Sequence, residues 1–123
     1  MDLSGKKAVV FGGTSGIGLA TTLLLAEDGA EVTAISREPK KAGTLPNGIT
    51  TRACDVLDRG EVEAVLEELS PIDILVTAAT GGKRAFGPFL EMDLDGYKAS
   101  FDKLWGYANV VRYGAMHVSD GGS

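Results

Sequence analysis

The chain has 123 residues, 44% of them hydrophobic, which is enough for one domain with a real core, spanning 1–123, and too few for two. Its net charge of -5 and pI near 4.8, with no Lys/Arg cluster larger than Lys40-Lys41 or Lys83-Arg84, argue against a nucleic-acid partner. Neither a membrane span nor a signal peptide is legible, so a cytoplasmic location is expected, and a lone Cys54 and a single His leave no disulfide framework and no metal ligand set.

Lys7 to Phe11 reads as a first strand, and Ser15 to Asp28 as a helix that ends at Gly29, a suitable glycine for a helix stop. Between them Gly12, Gly16 and Gly18 are spaced G-x-x-x-G-x-G. A strand that stops at Gly12 and restarts as a helix near Ser15 aims unpaired N–H groups and the positive end of the helix dipole at one spot. An anionic pyrophosphate fits there. Gly12 allows the turn, Gly16 lets the backbone approach a ligand, and Gly18 lets the helix lie close on the sheet. Two neighbouring motifs fail: Leu19 stands where a P-loop needs Lys, and Thr21 where G-x-G-x-x-G needs its last glycine.

Glu31 to Ile35 is the second strand, and Pro39 leaves room for only a short helical turn before Pro46-Asn47-Gly48. Ile49 to Cys54 is the third, with Cys54 a buried strand residue. From Asp58 to Leu69 the residues Val62, Val65, Leu66 and Leu69 make one helix face, Asp58 is its N-cap, and Glu61, Glu63, Glu67 and Glu68 are its wet side. Pro71 ends that helix. Ile72 to Val76 is apolar throughout, as a strand buried on both faces should be. A loop through Gly81 and Gly82 leads to a long helix from about Asp93 to His117. Its stripe of Leu94, Tyr97, Phe101, Leu104, Ala108, Val111 and Ala115 is expected to pack on the sheet, with a subunit contact as the alternative. Trp105, Tyr107 and Val110, off the stripe, point to another partner. His117 is a helix-end dipole partner or a surface residue. Strands alternating with helices make the fold class α/β, a Rossmann-like doubly wound parallel sheet of about four strands followed by the long helix.

The glycine spacing and its lead-in Gly5-Lys6-Lys7-Ala8-Val9-Val10 resemble the short-chain dehydrogenase/reductase family. The resemblance implies that Gly12, Thr14, Ser15, Gly16, Ile17 and Gly18 hold the pyrophosphate of a nicotinamide dinucleotide. In nicotinamide-binding folds a carboxylate at the end of strand two binds the ribose 2′-hydroxyl. Ser36 and Arg37 stand there instead, which favours NADP over NAD; a solvated strand-end charge is the other reading of Arg37. Asp55-Val56 resembles the pair that contacts adenine. Thr77-Ala78-Ala79-Thr80 stands where the family has Asn-Asn-Ala-Gly, so Ala78 and Ala79 are expected beside the cofactor ribose and the bracing amides are missing. Lys103 occupies the position of the family's proton-relay Asn; contact with cofactor or a neighbouring subunit and plain solvation are all open for it.

Catalysis in this family needs Tyr-x-x-x-Lys, which occurs nowhere in the chain, so no catalytic residue is assigned. Ser119 and Ser123 do not fill the gap. The resemblance covers about the first half of a usual member. The expected function is the cofactor-binding half of an NADP(H)-dependent oxidoreductase of carbonyl or alcohol substrates; the alternative is a non-catalytic dinucleotide-binding or interaction module. Phe86 and Phe89 are candidates for one wall of a substrate pocket and are insufficient to name a substrate. Strand four is expected to be an unpaired edge, covered by homo-oligomer contacts or by a C-terminal half on a second chain, or left by cleavage after synthesis with the C-terminal piece lost or disordered.

Overall fold

In a computed structural model, which describes residues 1–80 and 84–123, four parallel strands form one sheet in the order β3-β2-β1-β4. Gly81, Gly82 and Lys83, which the sequence reading placed in a loop and a basic pair, lie outside the described residues. The strands are β1 (Lys7–Phe11), β2 (Glu31–Ser36), β3 (Ile49–Ala53) and β4 (Ile74–Thr77). The helices are α1 (Gly16–Glu27), α2 (Arg59–Leu69), α3 (Leu94–Ala99) and α4 (Asp102–Gly114), with 3-10 turns at Pro39–Ala42, Phe89–Glu91 and Ala115–His117.

Central β1 is buried on both faces because its side chains alternate between two cores. Val9 and Phe11 join Ile35, Val62, Leu66 and Val110 under α2 and α4. Ala8 and Val10 join Ala30 and Val32 on the opposite face, with Leu25 and Ala26 of α1 packed against them. Helices on both faces of a parallel sheet make this a doubly wound α/β fold. Caps fix where the helices begin and end. Gly29 and Ala30 donate back to Ala26 and Leu25 and close α1, while the Asp58 carboxylate accepts the Glu61 N–H at 3.0 Å and opens α2.

Three expectations are corrected. The long helix is two helices, broken at Ser100, whose hydroxyl donates to the Gly96 carbonyl at 2.9 Å and accepts the Ala85 N–H at 3.2 Å. A serine bonded back one turn and tied to an outside strand of chain bends a helix. The stripe expected to pack on the sheet faces outward: Leu94, Phe101, Leu104 and Val111 are exposed, whereas Gly106, Asn109, Val110 and Gly114 are buried. Shape decides this orientation. A Cβ on Gly106 would stand 2.7 Å from Val56, and one on Gly114 2.5 Å from Leu75, so the small residues let α4 approach the sheet where the larger stripe would not.

The third correction concerns β4. Its four residues are half-buried, as befits an outer strand, and its edge is not unpaired. Ile72 bridges Val118 in parallel, Ile72 donates to the His117 carbonyl at 2.9 Å, and Leu75 donates to the Ser123 carbonyl at 2.8 Å. Residues 117–123 thus cover the edge expected to lie bare from Ile72 to Leu75. No helix among the described residues is long and apolar enough to cross a membrane.

Candidate functional site

The carboxyl ends of the four strands open into a cleft of about 200 Å³. Parallel sheets place crevices at this end, because the strands run in and their loops diverge to helices on opposite faces. Eight of the residues expected from sequence line it: Gly12, Ser15, Ser36, Arg37, Asp55, Val56, Ala78 and Ala79.

Gly12 carries φ +79, and a Cβ there would meet the Ala79 nitrogen at 2.5 Å and the Ala78 carbonyl oxygen at 2.7 Å. The turn after β1 and the segment after β4 therefore interlock. Gly18 does not line the cleft; it is buried beneath the corner, where a Cβ would overlap the Gly12 carbonyl. Gly16 does not line the cleft either, but it stands at the surface. It is exposed at φ +53 with open space where a Cβ would point. Thr14 is half-buried in the turn and Ile17 is 83% exposed on α1, so these two flank the cleft rather than line it.

The corner is only partly self-satisfied. Gly12 and Gly13 donate to the Ile35 carbonyl at 2.8 and 3.2 Å. Ser15 caps α1 with extended backbone, yet its side chain accepts nothing from the first helical turn. Those amides remain available to an anion. Across the cleft Arg37 is exposed, and the Ser36 hydroxyl is buried without a partner among the described residues. A buried hydroxyl without a partner beside a cleft calls for a polar ligand or water. Free amides, an open glycine, an orphan hydroxyl and a cation together fit a dinucleotide.

The wall after β3 is tightly organised. The Asp55 N–H donates to Glu61 at 2.8 Å, and its carboxylate accepts the Leu57 N–H at 3.0 Å. From α4, buried Asn109 donates its amide to the Val56 carbonyl at 2.8 Å. Glu61, read as part of a wet helix face, thus also holds the loop; the Asp58-x-x-Glu61 spacing is that of a capping box, but the Glu61 carboxylate reaches past the Asp58 N–H to that of Asp55. Glu68 forms a two-point bond with Arg52 at 2.7 and 2.6 Å, which holds its own carboxyl below the usual carboxylate range.

Sequence reasoning did not include Cys54, Leu57, Thr80 or Asp102 among the lining residues. Burial, reinforced by the Glu61, Asp55 and Asp58 carboxylates, pushes the Cys54 thiol up to about 11, which makes it a poor nucleophile. Lys103 stands outside the cleft lining, its ammonium 5.9 Å from the centre of the Tyr107 ring. The Thr77 hydroxyl, in the place of the missing Asn, is buried and unpartnered among the described residues. Phe86 and Phe89 are exposed, and neither lines the cleft.

The family model described as short chain dehydrogenase matches residues 6–122. L-xylulose reductase of Mesocricetus auratus is 33% identical over 105 residues, covering 83% of this chain and 42% of that protein. The 3-oxoacyl-[acyl-carrier-protein] reductase FabG of Thermotoga maritima is 40% identical over 90 residues, 64% of this chain and 37% of its own. Among solved structures, a blue fluorescent protein from a metagenomic library in complex with NADPH superposes with a TM-score of 0.78 at 31% identity. It covers 99% of this chain and 55% of its own. The chain spans less than half the length of these two curated reductases.

Proposed function

Because the chain belongs to the short-chain dehydrogenase family, we propose that it is the dinucleotide-binding part of an NADP(H)-dependent oxidoreductase acting on a carbonyl or alcohol substrate. The observation that carries this reading is the glycine corner opening into a cleft whose far side offers Ser36 and Arg37 and no carboxylate at the ribose position.

In this reading the amides of the first turn of α1 hold the pyrophosphate, with Gly16 leaving room for it. Arg37 and the Ser36 hydroxyl take the 2′-phosphate, Asp55 and Val56 receive the adenine, and Ala78 and Ala79 leave space beside the second ribose. A nicotinamide held there would supply the hydride chemistry, giving a hydride to a carbonyl carbon or taking one from an alcohol. The proton on the substrate oxygen needs an acid such as the family's Tyr-Lys pair, which this chain does not contain. We assign that group to the portion of family members that the chain does not span. The exposed stripe of α3 and α4 supports contact with a second copy or with that portion.

Titration of NADPH and NADH against the chain and an Arg37→Ala variant tests the cofactor assignment. A preference of at least tenfold for NADPH is expected from one charge-assisted contact, lost in the variant. Equal affinities in the unaltered chain would overturn it. The absent Tyr-x-x-x-Lys favours a second reading, a module that binds nucleotide without turnover. Carbonyl reduction by the chain joined to a family C-terminal half separates the two: activity supports the oxidoreductase, and binding without activity supports the module.

A further inference from the structure

Asp102, in the first turn of α4, lines the cleft together with Asp55, Val56 and Leu57. Its place on the helix says which end of the cleft it serves. Residues 102, 106 and 109 recur at helical spacing, and two of them press on one turn: Gly106 lies against Val56, and Asn109 bonds the Val56 carbonyl. Asp102 thus extends the α4 face that contacts the loop after β3, on the opposite side of the strand ends from the glycine corner.

That loop leaves the second Asp55 carboxylate oxygen as its free side-chain acceptor. The Val56 carbonyl is taken by Asn109, and one Asp55 carboxylate oxygen by the Leu57 N–H. Asp102 makes no side-chain hydrogen bond or ion pair among the described residues, although it is half-buried. A carboxylate only accepts, so its natural partner is an N–H donor on whatever fills this end. The 6-amino group of adenine is such a donor; a 6-keto purine presents an acceptor there.

We propose that Asp102 is a base-reading residue that makes the cleft select a 6-amino purine over a 6-keto purine, an inference that rests on the dinucleotide reading above. The probes are NADPH and its hypoxanthine counterpart, which differ in the 6-substituent and in the adjoining N1, an acceptor in adenine and an N–H in hypoxanthine, titrated against the full chain, Asp102→Asn and Asp102→Ala. The unaltered chain is expected to bind the adenine form at least tenfold more tightly. In Asp102→Asn the ratio falls at least threefold, because an amide turns to donate to the keto oxygen; in Asp102→Ala it falls because the acceptor is gone. Both ligands are measured on each protein, so the ratio is insensitive to a general loss of folded material. An unchanged ratio in both variants overturns the assignment, as does loss of both ligands from variants whose circular dichroism is unaltered. Failure of both dinucleotides to bind the unaltered chain instead overturns the dinucleotide reading, and this inference falls with it.

Discussion

Asn109 reaches from α4 to the Val56 carbonyl, 2.8 Å away, and so ties the helix to the loop that walls one end of the cleft. It is a buried amide in a chain whose segment after β4 lacks the bracing amides of its family. The tie comes from another element.

Removal of this contact leaves the Val56 carbonyl without its partner. Asn109→Ala is expected to cost about 2 kcal/mol of unfolding free energy, read from urea denaturation, and to weaken adenine dinucleotides. An unchanged midpoint would show that water replaces the amide at no cost.

Gly16 and Gly18 separate the effects of ligand access and packing. Gly16→Ala places a methyl in open space at φ +53, so it is expected to lose about 1 kcal/mol of stability and most dinucleotide affinity. Gly18→Ala drives a methyl into the Gly12 carbonyl and is expected to lose the cooperative thermal transition. Equal melting temperatures for the two variants would contradict the geometry of the corner.

Adjacent valines report the orientation of α4. Val110 is fully buried and Val111 is 54% exposed. Val110→Ala is expected to cost about 2 kcal/mol from lost burial and the cavity left behind, while Val111→Ala stays within about 0.5 kcal/mol. The reverse order in denaturation midpoints would return the outer stripe to the core.

The thiol of Cys54 gives a pH test. Burial, then neighbouring carboxylates, raise it from an ordinary 9.0 to about 11. The folded chain therefore holds this proton over a range in which the unfolded chain has released it. The resulting stability is complete below pH 9.0 and declines as pH rises toward about 11. Cys54→Ala removes this contribution, so its stability is expected to fall less over that range; parallel curves for the two proteins would refute it.

Much of this was legible in the chain itself. The first three strand runs, the Asp58 cap, the Gly29 stop and the glycine corner are signals in which local chemistry and fold agree, and each stands where the sequence places it; the fourth strand begins two residues later than its apolar run, at Ile74. The orientation of α4 was not legible, because periodicity finds an apolar stripe without saying whether large or small residues will meet the sheet. Gly106 and Gly114 decided it through close approach, which hydrophobicity does not register. Asp102 was missed for a related reason: read within one long helix it stands in mid-helix, and only the break at Ser100 puts it in a first turn beside the cleft.

The interlock of Gly12 with Ala78 and Ala79 bears on how the cleft accommodates a guest. Backbone fills the space a side chain would need, so these two segments cannot slide past one another and form an anvil rather than a jaw. Adjustment to an incoming molecule then falls to the opposite rim, where Arg37 is exposed. Differences in affinity between related guests should accordingly be written in the order of that rim, with the glycine side registering the same contacts for all of them.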